Sequence, residues 1–244
     1  MSSEVNIADT QARILRTLTV LHTLRQDWGG SLILCCGLGP QGAALALASN
    51  IAGAVCLNIE EEPNILRAAM RSGSCDFIVN TLDEALRAMK NEVRKHLPLS
   101  VGLQGNPAQV LDEILERGVS PQLFTDITKG PTSGARPKLQ SLGALVIDFD
   151  GRPTLEGTLD ANTLLGTFLH QRQWQLRTVT FNTSAALRAF DARALSSLQE
   201  GDQLRRRWLH AAPRILQRER PIHRVLWLTD EEEQHLQIKA VPEA

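Results

Sequence analysis

The stretch Ser31-Leu-Ile-Leu-Cys-Cys-Gly37-Leu-Gly39-Pro-Gln-Gly42-Ala-Ala-Leu-Ala46 decides the fold. It reads as a buried apolar strand, a glycine-rich turn and the start of an alanine-rich helix. Its Gly-x-Gly-x-x-Gly spacing is the dinucleotide-binding fingerprint. Each glycine has a separate physical task. Gly37 takes the tight turn out of the strand. Gly39 leaves the main chain bare, so a pyrophosphate can approach. Gly42 lets helix and strand pack closely. The amides that open the helix then face the phosphates. A second match lies about 20 residues further on, where such folds place an acid against the adenosine ribose. Glu60 stands there, at the end of Ala54-Val-Cys-Leu-Asn-Ile59, the next apolar run. Its neighbours Glu61 and Glu62 add negative charge that disfavours a 2′-phosphate, so the expected cofactor is NAD rather than NADP. The competing reading is a glycine turn kept for packing alone, with an acidic helix start serving the dipole.

Strands and helices alternate on either side. Ala12 to Asp27 carries Ile14, Leu15, Leu18, Leu21 and Leu24 at helical spacing. A helix is predicted from the glycine turn to Ile51, and another from Pro63. Asp76 to Val79 is a short strand. Thr81 with Glu84 three residues on is a capping-box signature for a helix to Lys95. Leu99 to Leu103 is a strand, Asn106 or Pro107 opens a helix that stops at Gly118, and Leu123 to Asp126 is a strand. Thr128 to Pro137 reads as a loop, and Ala144 to Phe149 as a strand. Beyond it, Leu159 to Leu169 and Ser184 to Leu198 read as helices, with Leu176 to Phe181 and Arg224 to Leu228 as strands. This alternation predicts a single α/β domain over 1–244: a doubly wound, mostly parallel sheet with helices on both faces. The ends, 1–10 and 239–244, are expected to be flexible.

A hydrophobic share of 43% suffices for such a core, and a net charge of −1 gives no electrostatic reason to expect nucleic acid. No stretch reaches the roughly 18 apolar residues of a membrane span. The N-terminus lacks the basic start and apolar run of a signal peptide. Cys35, Cys36, Cys56 and Cys75 form no Cys-x-x-Cys pair and read as reduced core residues, which points to the cytoplasm. The six histidines show no metal spacing, so no metal is expected.

Further runs resemble one family, urocanase. They are Gly37 to Ala44, Gly53 to Pro63, Thr81 to Leu86, Leu99-Ser-Val-Gly-Leu-Gln-Gly-Asn-Pro-Ala-Gln-Val110, Glu116 to Val119 and Thr125 to Thr128. Fainter matches are Gly143 to Phe149 and Arg220 to Thr229. The resemblance implies a Rossmann-like domain that holds NAD⁺ as an electrophile toward a heterocyclic substrate, to which water is then added. It implies a cofactor site of Gly37, Gly39, Gln41, Gly42, Glu60, Gly105, Asn106, Thr125, Asp126 and Thr128, and by analogy a homodimer. The departures are specific. The family's Thr-Asp-Gln-Thr-Ser-Ala-His becomes Thr125-Asp-Ile127-Thr-Lys129-Gly-Pro131. The tyrosine that follows it in the family has no counterpart, since this chain contains none. No cysteine precedes the Arg220 run, a family arginine is missing near Ala69, and nothing resembles the family's flanking regions. The cofactor half is partly kept and the substrate half is dismantled; no catalytic residue is assigned.

Two other constellations stand out. Asp148-Phe-Asp150 could form a carboxylate pair or metal site, against a solvated strand end. Arg205-Arg-Arg207 with Arg214 to Arg224 could grip an anion. The favoured alternative is the solvated face of a helix that turns Leu204, Trp208 and Leu209 inward. Three functions compete: an NAD-binding enzyme on a small heterocyclic or anionic substrate other than urocanate, a non-catalytic nucleotide-binding or regulatory protein, and a structural or partner-binding domain.

Overall fold

The computed structural model describes residues 2–128, 134–151, 156–217 and 220–236, with side chains from Ala8 onward. The chain opens with α1 (Ser2–Leu24), then β1 (Leu32–Cys36), α2 (Pro40–Ala52) and β2 (Val55–Glu60). Next come α3 (Pro63–Ser72), β3 (Phe77–Val79), α4 (Leu82–Lys95), β4 (Leu99–Gln104), α5 (Pro107–Glu116) and β5 (Leu123–Asp126). The second half holds α6 (Ala135–Ser141), β6 (Leu145–Asp148), β7 (Thr158–Asp160) and α7 (Ala161–Arg172). It ends with β8 (Gln175–Thr180), α8 (Ser184–Ser197), α9 (Gln203–Ile215), β9 (His223–Leu228) and α10 (Asp230–His235).

Seven strands form one parallel sheet in the order β3-β4-β2-β1-β5-β6-β7. The chain winds one way from β1 to β2 and then returns to β5 on the other side of β1. The switch point therefore lies between β1 and β5, the crevice where such sheets take ligands. Alternation within β1 serves both faces. Ile33 and Cys35 join the core under α1, α2, α7 and α9, while Leu34 and Cys36 join the core under α4, α5 and α6. Burial on both sides explains the unbroken apolar strands.

Local signals hold closely. Thr81 accepts the Glu84 amide and Glu84 reaches back, completing the capping box of α4. Thr229 and Glu232 do the same for α10. Leu204, Trp208 and Leu209 turn inward on α9 as expected. Four expectations change. Helix α1 runs Ser2–Leu24 rather than from Ala12 to Asp27, although the periodic apolar residues begin only at Ile14. The loop from Thr128 ends early, because α6 begins at Ala135; positions 129–133 lie outside the described residues, as do 239–244. Thr158–Asp160 is a strand, not a helix start, because it pairs with β6 as the sheet's last member. Finally, β8 and β9 do not extend the main sheet but pair with each other in antiparallel fashion.

Two of the arginines near the C-terminus, Arg205 and Arg224, form neither a solvated face nor an anion grip, while Arg214 and Arg220 are exposed. Arg224 is 1% exposed and holds Asp191 through two hydrogen bonds of 2.9 and 2.8 Å. Arg205 is also buried, bonded to Asp202, to both Glu232 oxygens and to the Trp227 carbonyl. Buried Gln11 of α1 completes the first cluster: its amide donates to the His223 carbonyl and its oxygen accepts from Arg224 and the Val225 amide. The β8–β9 ribbon is thus fastened to α1, the helix that also packs along α2.

Candidate functional site

The carboxyl ends of β1, β2, β4 and β5 meet at the switch point. Main-chain bonds carry the sheet into its loops: Gly37 N–H to the Ile59 carbonyl (2.7 Å), Gly105 N–H to Glu60 (3.1 Å) and Ile127 N–H to Cys36 (3.0 Å). Gly37 turns with φ +98°, a value that L side chains rarely adopt, and a Cβ there would lie 2.9 Å from the Ile127 side chain. A Cβ on Gly42 would meet the Gly37 carbonyl oxygen at 2.3 Å, so this position locks helix to strand. A Cβ on Gly39 would meet nothing within 4 Å. The three glycines therefore divide their tasks as the fingerprint requires.

Gly39 caps α2 without a side-chain hydrogen bond, Pro40 follows, and the first intrahelical bond runs from Ala43 N–H to Gly39. The amides of Gln41 and Gly42 stand ahead of that ladder, at the positive end of the helix dipole. Leu38 is pinned in a small core with Leu66, Ala69 and Cys75, which fixes the turn from outside.

The Glu60 carboxylate faces the turn. Oε2 accepts from Leu38 N–H at 2.8 Å and Oε1 from Glu62 N–H at 3.0 Å. Each carboxylate oxygen has a second lone pair, so both can still accept from a hydroxyl. Asn106 lies beside Gly105 as the cap of α5, with its oxygen accepting from Ala108 and Gln109 N–H. Across the switch point, Asp126 turns back on its own loop and accepts from the Thr128 amide and hydroxyl at 2.9 and 2.7 Å. One expected side chain points elsewhere: Gln41 donates to Thr17 on α1, so only its amide faces the turn. Thr125 is fully buried and its hydroxyl has no hydrogen-bond partner among the described residues.

The thiols below the turn are held in the neutral form by burial. Burial pushes Cys35 and Cys36 well above the ordinary cysteine range, helped by the Asp126 carboxylate. The Cys35 thiol donates to the Gly37 carbonyl. All four cysteines are free and buried. The Asp148–Asp150 pair is also structural in one respect, since Asp148 accepts from Asp150 N–H at 2.8 Å. Among the described residues no group of three or more His, Cys, Asp or Glu is placed to hold a metal, and no helix is long and apolar enough to cross a membrane.

The Rossmann-like domain of urocanase matches residues 10–141. The chain belongs to the urocanase family. The match spans the crevice from α1 to α6, and the fainter likenesses at 143–149 and 220–229 lie outside it. Among solved structures, an NADH-complexed short chain alcohol dehydrogenase from E. coli CFT073 is 12% identical, with 65% of this chain and 47% of that one covered and a TM-score of 0.37. A quinone oxidoreductase from Thermus thermophilus is also 12% identical, with 64% and 48% covered and a TM-score of 0.36. This chain thus spans about half the length of either. The family's glutamine position is taken by Ile127, which packs against Gly37 and Gly42. Lys129 and Pro131, two further departures from the urocanase pattern, lie outside the described residues.

A dinucleotide fits the residues present. The open space at Gly39 is the one a pyrophosphate needs, and the adjoining acid faces the same turn.

Proposed function

We propose that this protein binds NAD across the switch point and works as an enzyme of the urocanase family on a small heterocyclic or anionic substrate. The observation that carries this reading is the contrast among the glycines: Gly37 and Gly42 are enclosed, and Gly39 alone of the three has free space above it. In this reading the pyrophosphate rests on Gly39 and the amides of Gln41 and Gly42. The adenosine ribose bonds to Glu60, with Gly105 and Asn106 beside it. Asp126 and Thr128 border the far side. Exposed Glu61 and Glu62 repel a 2′-phosphate, which favours NAD over NADP. Bound NAD supplies an electrophilic pyridinium ring. The protein's own residues orient it, and Ile127 excludes water from the base of the turn.

A second reading has one specific observation behind it. Ile127 carries no donor or acceptor where the family has glutamine, and the chain has no tyrosine. Hydration of urocanate is therefore not proposed, and a non-catalytic, nucleotide-sensing role follows if substrate turnover is absent. Mass spectrometry of the purified protein, followed by calorimetric titration with NAD and NADP, tests the shared premise. Retained or saturably bound NAD supports it; binding of neither nucleotide removes it. Light scattering on the same sample checks the homodimer expected by analogy, and the proposed site lies in a protein read as cytoplasmic.

A further inference from the structure

A cleft of about 490 Å³ opens beside the glycine turn, between the first half of α1 and the start of α7. Its walls include Gln41 in the first turn of α2, Phe149 just after β6 and Asn162 in the first turn of α7. These are all features of the sheet's carboxyl edge. The sheet order gives the cleft its meaning. Glu60 follows β2 and the glycine turn follows β1, while Phe149 follows β6 on the opposite side of the switch point. A dinucleotide with its adenosine on Glu60 and its diphosphate on Gly39 directs its other half toward this cleft.

The lining has two characters. Phe149, Leu165 and Leu176 are half-buried and apolar. The same lining carries Arg13 and Arg16, one helical turn apart on α1. Among the described residues neither arginine forms a salt bridge, although Asp9 shares the rim. This differs from Arg205 and Arg224, which are consumed by buried partners. Two cations and an apolar wall in one cleft are complementary to a molecule with an anionic head and an apolar body.

We propose that this cleft is the substrate site, and that Arg13 and Arg16 hold the carboxylate of a small organic acid whose apolar body lies against Phe149 and Leu176. The proposal rests on the NAD reading for the name substrate, but the binding site stands on the cleft alone. It adds residues of α1 and α7 to a site otherwise built from strand ends.

The probes are 3-phenylpropionate, its neutral amide, and acetate, each titrated by ligand-observed NMR into wild-type protein and the Arg13→Gln/Arg16→Gln double variant. Both arginines are exposed, so the variant is expected to fold. The expected result is saturable binding of 3-phenylpropionate to wild type at about millimolar concentration. The amide, acetate and the double variant should each bind at least about tenfold more weakly, the loss expected for a charge-assisted contact. No saturable 3-phenylpropionate binding, or equal binding by the double variant, overturns the site. NAD affinity is measured on the same samples. If 3-phenylpropionate binds as expected and NAD does not, the cleft stands and the cofactor reading falls; the reverse result rejects the cleft and leaves the cofactor reading in place.

Discussion

Replacing Gly39 by valine should separate folding from nucleotide binding. Gly39 has φ −63° and ψ −169°, a conformation that any L residue adopts, and a Cβ there meets nothing within 4 Å. The native fold therefore has room for the new side chain. As the cap of α2, Gly39 contributes no side-chain bond that could be lost, so the stability change should stay within about 1 kcal/mol. For a chain of this size that is a Tm shift of about 2–4 °C. Binding should suffer far more. The valine methyls occupy the approach to the Gln41 and Gly42 amides. Two hydrogen bonds to a charged diphosphate are worth about 1.5–3 kcal/mol each. Their loss raises the Kd for NAD by about 10²–10⁴-fold. Calorimetry with NAD, paired with a thermal melt, reads both numbers. Gly42→Ala supplies the contrast: its Cβ would sit 2.3 Å from a carbonyl oxygen, so overpacking should lower stability by about 1–3 kcal/mol or more. A folded Gly39→Val protein that binds NAD like wild type would refute the argument.

Glu60→Ala should weaken NAD binding by about 1–3 kcal/mol and also loosen the turn, because the Leu38 amide loses its 2.8 Å acceptor; an unchanged Kd rejects the ribose assignment. Asp191→Leu alone leaves Arg224 buried and unpaired and should cost about 3–5 kcal/mol in chemical denaturation, while adding Arg224→Met should recover most of it. Burial pushes the Glu232 carboxyl up, but the Arg205 guanidinium and the Thr229 amide outweigh it and hold it below its usual range. That stabilisation is complete above the ordinary glutamate value of about 4.3 and is lost as pH falls through the lower folded-state value. Glu232→Gln should accordingly flatten the acid limb of stability against pH; an unchanged limb contradicts this. Burial raises the Cys56 and Cys75 thiols to about 12 and about 11. No cysteine should react with a thiol reagent near pH 8 until the protein is denatured, and labelling of the native protein would show that the strand core opens.

The sequence alone determined what short-range chemistry controls. A strand that runs into glycines at fixed spacing can make only a few local geometries, so β1, its turn and α2 were legible residue by residue. So was the cap at Thr81, whose partner lies three residues away. Alternation of elements gave the parallel sheet, because parallel neighbours need a crossover helix.

What tertiary structure decided involves partners far apart in the chain. Gln11 meets Arg224, a polar residue of the first helix answering a charge on the last strand, and nothing near either residue announces it. A run of arginines has the same local pattern whether it is solvated or buried; only the positions of Asp191, Asp202 and Glu232 settle which. Strands β8 and β9 read like sheet members, yet they pair with one another, and β9 packs on α1 rather than joining the main sheet. The side-chain direction of Gln41 and the burial of Thr125 were likewise fixed by neighbours from other elements. Hydrogen bonding within a turn is written in adjacent residues, whereas burial and charge pairing belong to the space that distant segments create together.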